Sequence, residues 1–166
     1  MCQLIPYPGH MTNLWLSPEQ QHAWRALLSM HTQLHALLGR ELQASSDLSY
    51  ADFAVLVQLT EAPDGRARIS ELADLLQWER SRLSHHLKRM EARGLIDRAS
   101  CPEDGRGQYV SVTPIGRAAI EQAAPEHVAL VRSLVFDDMS DEEMQVMTAI
   151  HERILARLDQ VPQKVM

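Results

Sequence analysis

Two short helical stretches, the second basic and closed by a glycine, followed by two short strands around a turn-rich tip, restrict what this chain can fold into more than any other feature. Ile69-Ser70-Glu71-Leu72-Ala73-Asp74-Leu75-Leu76 reads as a short helix with Ser70 as its candidate cap. Leu76-Gln77-Trp78-Glu79 is a tight connection, and Arg80 to Arg93 forms a second helix. That helix stops at Gly94, a residue that readily takes the left-handed conformation ending helices. Two short helices joined in this way make a helix-turn-helix. Beyond Gly94 the pattern changes to strand, with Leu95-Ile96-Asp97-Arg98-Ala99 and the alternating Tyr109-Val110-Ser111-Val112. Pro102-Glu103-Asp104-Gly105-Arg106-Gly107 between them is rich in turn formers and predicts a hairpin with a basic tip, a wing.

The flanking segments are helical. Ser17, Pro18 and Gln20 open a long helix reaching about Gln43, with Trp24, Leu27, Leu28, Leu34, Leu38 and Leu42 at three- and four-residue steps. Ser49 caps a second helix, Tyr50 to Glu61, which ends at the turn Pro63-Asp64-Gly65. Thr113-Pro114 starts another, expected to kink near Pro125. Asp138-Met139-Ser140 breaks it, and Ser140 with Glu143 caps the last helix, which runs to about Leu158. The predicted fold is therefore mainly α: a winged helix-turn-helix with a two-stranded β-wing and N- and C-terminal dimerisation helices. Residues 1–16 are expected to be a flexible tail, 17–47 and 114–160 a helical dimerisation lobe, and 48–113 the DNA-binding lobe. The first and last helices carry more apolar surface than a small winged domain could cover, and an isologous two-fold interface would bury it.

The net charge of −6 argues at first against nucleic acid. Its distribution argues the other way. Arg80 to Arg106 holds seven basic residues against four acidic ones, net +3, which leaves −9 on the rest of the chain. Phosphate contact is local and screened beyond about 10 Å, so a basic island on an acidic body suffices for a DNA reader.

At 100° per residue, Leu83, Leu87 and Met90 form one stripe of the Arg80–Arg93 helix and should face the core. Ser81, His85 and Lys88 point away, flanked by Arg82, Ser84 and Arg89. Serine donates or accepts at base edges, arginine reads guanine with two hydrogen bonds, and lysine and arginine hold phosphates. The N-terminal half of such a helix usually faces the bases. The candidates are thus Ser81, Arg82, Ser84 and His85 for bases, and Lys88 and Arg89 for phosphates.

The run Arg82-Leu83-Ser84-His85-His86-Leu87-Lys88-Arg89-Met90-Glu91-Ala92-Arg93-Gly94-Leu95-Ile96-Asp97-Arg98 resembles the recognition helix and first wing strand of MarR-type regulators. Asp104-Gly105-Arg106 and Val112-Thr113-Pro114-Ile115-Gly116 fit the same family. The resemblance implies a dimer with intertwined terminal helices, and recognition helices in successive major grooves of a near-palindrome. It also implies that Arg106 enters the minor groove, oriented by Asp104. Many members are repressors released by small lipophilic ligands or by cysteine oxidation. The family often carries arginine where this chain has His85, so the base read there stays open.

Other residues invite narrower readings. Trp24, His31, Phe53, Leu56 and Trp78 are candidates for an effector pocket near the junction of the lobes, set against an ordinary core role. Cys101, just before the tip, is a candidate redox switch, set against an unreactive thiol. His31 and His35 have metal-ligand spacing, but no third ligand is indicated, so no metal is expected. Two distant cysteines, Cys2 and Cys101, fit a reducing compartment. With no secretory signal and no apolar run long enough for a membrane span, a cytoplasmic protein is expected. No phosphate loop or hydrolase motif is present, so neither an enzyme nor a cofactor is expected. The expected partners are double-stranded DNA, a second copy of the chain and a small-molecule effector. The rival reading is a winged-helix protein–protein adaptor, which should expose apolar residues on the Arg80–Arg93 helix.

Overall fold

The computed structural model describes residues 15–101 and 104–161, with the side chains at 101 and 104–106 outside that description. The chain folds as α1 (Pro18–Ser46), α2 (Tyr50–Glu61), β1 (Arg66–Arg68), α3 (Ile69–Leu76), α4 (Arg80–Ala92), β2 (Ile96–Cys101), β3 (Asp104–Val112), α5 (Pro114–Val131) and α6 (Asp141–Leu158). A single wide π turn, Arg132–Phe136, follows α5.

Side-chain caps start four of these helices. Ser17 and Gln20, Ser49 and Asp52, and Ser140 and Glu143 form reciprocal capping boxes, and Thr113 Oγ1 accepts from the Gly116 amide at 3.0 Å. Each box satisfies amides that a helix start leaves without partners. Helix α1 runs a turn further than its apolar pattern suggests, to Ser46, and ends at Asp47 in the left-handed region with φ 55°. Helix α3 starts one residue before the expected Ser70 cap. Its opening amide is covered by Glu71, whose Oε2 accepts from the Arg68 N–H at 3.0 Å. Helix α5 passes through Pro125 as one continuous helix, and the irregularity falls later, at the π turn.

The sheet has three antiparallel strands in the order β1-β3-β2. Sequence reading finds the hairpin β2–β3 but not β1, whose three residues are too few for alternation to register. They are held by pairing, with Ala67 opposite Val110 and Arg68 opposite Tyr109. Strand β3 also starts earlier than read, at Asp104, opposite Cys101. Residues 104–107 are therefore strand rather than loop.

One core joins the elements. Leu42, Leu48, Val55, Leu56, Leu59, Leu72, Leu83, Leu87, Met90, Ile96 and Val110 are almost wholly buried. Burying a side chain of this kind contributes about 1.5–3 kcal/mol, so this cluster, which draws on both α4 and the sheet, fixes α4 against the wing. The junction is tied further at Thr113, whose hydroxyl donates to the Gly94 carbonyl at 2.6 Å while its amide donates to Leu95 O at 3.2 Å. Gly94 takes φ 71°, as a glycine after a helix end commonly does. By contrast α6 buries none of its residues within the chain, and Val146, Ile150, Ile154, Leu155 and Leu158 are exposed.

Candidate nucleic-acid interface

Helix α4 is laid down by its buried side. Leu83, Leu87 and Met90 are each fully buried, as the helical stripe requires, and they leave the opposite face to solvent. Ser81, Arg82, His85, Lys88 and Arg89 are exposed, and Ser84 is half-buried. Six candidate residues therefore share one helix, five of them open to an incoming ligand. Asp104 and Arg106 lie in β3, and their side chains fall outside the described residues. Cys101 ends β2, its side chain likewise outside, and Cys2 lies outside altogether.

Sequence reasoning missed the polar group beneath the helix. His86 is buried, with Nε2 at 3.0 Å from Asp52 Oδ1, a close contact lying off the hydrogen-bond direction. Its other nitrogen, Nδ1, is 2.9 Å from Arg89 Nη2. An arginine can only donate, so Nδ1 accepts in this contact and a neutral imidazole carries its proton on Nε2, the nitrogen nearest Asp52. Arg93 Nη1 donates to Asp52 Oδ2 at 2.8 Å, and its Nη2 to the Asp47 carbonyl at 2.6 Å. Burial alone would raise the Asp52 carboxyl. His86, the Ser49 amide and hydroxyl, and Arg93 together outweigh burial and hold it well below the usual carboxylate range. Buried charge is tolerated here because its partners converge on it.

This changes the electrostatics of the basic island. Arg93 is committed to Asp52 and Asp47. Arg98, largely covered, bonds to Gln108 and approaches Glu91 at 3.9 Å. The outward positive charge of α4 therefore rests on Arg80, Arg82, Lys88 and Arg89. Trp78, half-buried in the connection before α4, makes an edge contact with the His86 ring at 5.5 Å, and the Arg82 guanidinium lies 5.0 Å from its ring centre.

The candidate effector residues divide between the core and the surface. Phe53 and Leu56 belong to the core, and Trp78 packs against it. Trp24 and His31 are exposed on α1. His31 meets His35, and His35 meets Tyr50, as tilted rings with centroids 5.2 and 4.0 Å apart. Among the described residues, no group of three or more His, Cys, Asp or Glu side chains is placed to hold a metal ion, and no helix is long and apolar enough to cross a membrane.

Residues 46–107, which run from the last residue of α1 into β3, match the MarR family. The chain is 33% identical over 135 residues to an uncharacterized HTH-type transcriptional regulator of Bacillus cereus, covering 78% of this chain and 86% of the relative. It is 36% identical to Sco3205, a MarR family transcriptional regulator from Streptomyces coelicolor solved in complex with DNA. The likeness covers 92% of this chain and 95% of that one with a TM-score of 0.84. The chain belongs to the MarR family. A second MarR family regulator from Streptomyces coelicolor, AbsC, is 33% identical with a TM-score of 0.84, over 89% of this chain and 99% of its own. Such coverage extends the MarR likeness through α1, α5 and α6, well beyond the winged segment.

Proposed function

We propose that this MarR-family chain is a homodimeric, sequence-specific DNA-binding transcriptional regulator, a repressor of a pseudo-palindromic operator that a small-molecule effector releases. The observation that carries the reading is the exposed polar and basic row Ser81, Arg82, His85, Lys88 and Arg89 over the buried Leu83, Leu87 and Met90. A protein–protein adaptor would present apolar side chains there. In this reading Ser81, Arg82, Ser84 and His85 face base edges, Lys88 and Arg89 hold phosphates, and Arg106 with Asp104 serves the minor groove beside them.

Dimerisation is supported by the exposed apolar residues of the terminal helices, Trp24, Leu27 and Leu28 on α1 and Ile150, Ile154 and Leu158 on α6. A two-fold pairing of residues 17–47 and 114–160 would cover them and present two copies of α4. The half-sites should then lie about 10–10.5 base pairs apart, centre to centre. Sco3205 was solved with DNA, which supports the same reading. Repression and release rest on the resemblance to MarR-type regulators.

The test is selection of duplexes from a random pool, then fluorescence anisotropy of the selected and of random DNA across a salt series. Specific binding with a steep fall in affinity as salt rises supports the proposal. Equal affinity for selected and random duplexes contradicts it. Release of the selected duplex by one compound of a ligand panel would support the effector.

A further inference from the structure

We propose that Trp78 is a positioning residue that holds Arg82 ready to read a guanine. The inference rests on the proposed base-reading role of Arg82. Trp78 lies in the connection just before α4, and its indole is the shared neighbour of two α4 side chains four residues apart, Arg82 and His86. The indole meets the His86 ring edge-on at 5.5 Å, and the Arg82 guanidinium lies over it, 5.0 Å from the ring centre.

The three side chains are in different physical states. His86 is buried and held by Arg89 and Asp52. The Trp78 backbone is held by its amide, which donates to the Ala73 carbonyl at 2.9 Å just after Gln77 in the left-handed region, and its half-buried indole packs against the core. Arg82 is exposed. A long side chain on an open helix face samples many rotamers, and ordering it on binding costs entropy. A fixed aromatic face removes part of that cost before the DNA arrives. Guanidinium is the group suited to this. Its flat face is attracted to the ring while its N–H edge stays free for the two acceptors of guanine. Trp78 thus links the buried Asp52–His86 group to the orientation of an exposed reader.

The experiment uses the full chain and the selected duplex. Arg82→Ala first identifies the base pair whose discrimination depends on Arg82. Discrimination at that pair is then measured for Trp78→Phe, Trp78→Leu and Trp78→Met, each checked for folding by thermal melting. Trp78→Leu and Trp78→Met are expected to reduce it about two- to five-fold, the range an exposed cation–π contact supplies. Affinity for random DNA should not change, Trp78→Phe should keep most of the discrimination, and Trp78→Leu should add nothing on an Arg82→Ala background. Full discrimination in both Trp78→Leu and Trp78→Met overturns the inference and leaves the DNA reading intact. Equal losses on all duplexes, or an effect that persists without Arg82, also overturn it. If the wild-type chain prefers no duplex, or Arg82→Ala relaxes no base pair, the underlying reading fails and takes the inference with it.

Discussion

Arg93 reaches Asp52 across 41 positions of sequence, Nη1 to Oδ2 at 2.8 Å, and so ties the end of α4 to the start of α2. The same carboxylate accepts the Ser49 amide at 2.9 Å and lies against His86. A single acidic side chain thus serves a helix cap and the underside of α4. Removing Arg93 leaves Asp52 buried with fewer partners and the Asp47 carbonyl without its donor. Arg93 is itself part-exposed, so water compensates in part. Arg93→Ala is expected to cost about 1–3 kcal/mol of stability, read from the urea midpoint.

The same carboxylate sets an acid dependence. Its folded pKa lies below the ordinary 3.8, so its contribution is complete above that value. The contribution is lost progressively as pH falls from there toward the folded value. Asp52→Asn removes the ionisation. The mutant should be less stable near neutrality, with the gap to wild type narrowing as pH falls below about 4. A gap constant from pH 7 to the acid limit would contradict the assignment.

His127 adds a dependence nearer neutrality. Its ring lies 4.5 Å from Phe53, and burial lowers its pKa from 6.5. The neutral ring is favoured in the folded chain. The stability it contributes is therefore complete above 6.5 and lost as pH falls through the lowered value. His127→Leu should flatten that part of the curve of melting temperature against pH. An unchanged curve would remove His127 as its source.

Much of the fold was legible because its signals are local. Ser17, Ser49, Thr113 and Ser140 announce helix starts, and the spacing of Leu83, Leu87 and Met90 announces the buried side of α4. The group around Asp52 was not legible. Nothing near Ser49 in sequence signals that Asp52 meets Arg93 and His86, and His86 sits beside an exposed histidine of the same type. Arg93 and Arg98 were counted with the outward charge because composition does not tell a cation's direction. Strand β1 was missed because it exists through pairing with β3. The aromatic support under Arg82 needs Trp78 and α4 in three dimensions, because Trp78 lies outside the helix that carries Arg82.

Gly116 is required by close approach. A Cβ there would lie 2.0 Å from the Leu95 carbonyl oxygen, which is backbone held by its bond from the Thr113 amide. Neither side can yield cheaply in a packed interior. Gly116→Ala is expected to cost roughly 3 kcal/mol or more, seen as a lowered melting temperature. A melting temperature within a degree or two of wild type would show that the wing–α5 junction is looser than described.

The exposed face of α4 gives a pair of variants with opposite signatures. Arg82→Ala should cost about 1–3 kcal/mol on the selected duplex and relax specificity at one base pair. Lys88→Ala should weaken all duplexes alike and reduce the salt slope by about one. Equal losses on selected and random DNA for Arg82→Ala would refute its base-reading role.

The decisive measurement is the ratio of affinities for a selected duplex and for random DNA at physiological salt. Base reading by paired copies of α4 should give a ratio of at least about a thousand, with two half-sites one helical turn apart in the selected sequence. A ratio near one, with and without candidate effectors, would contradict the claim that this helix reads DNA.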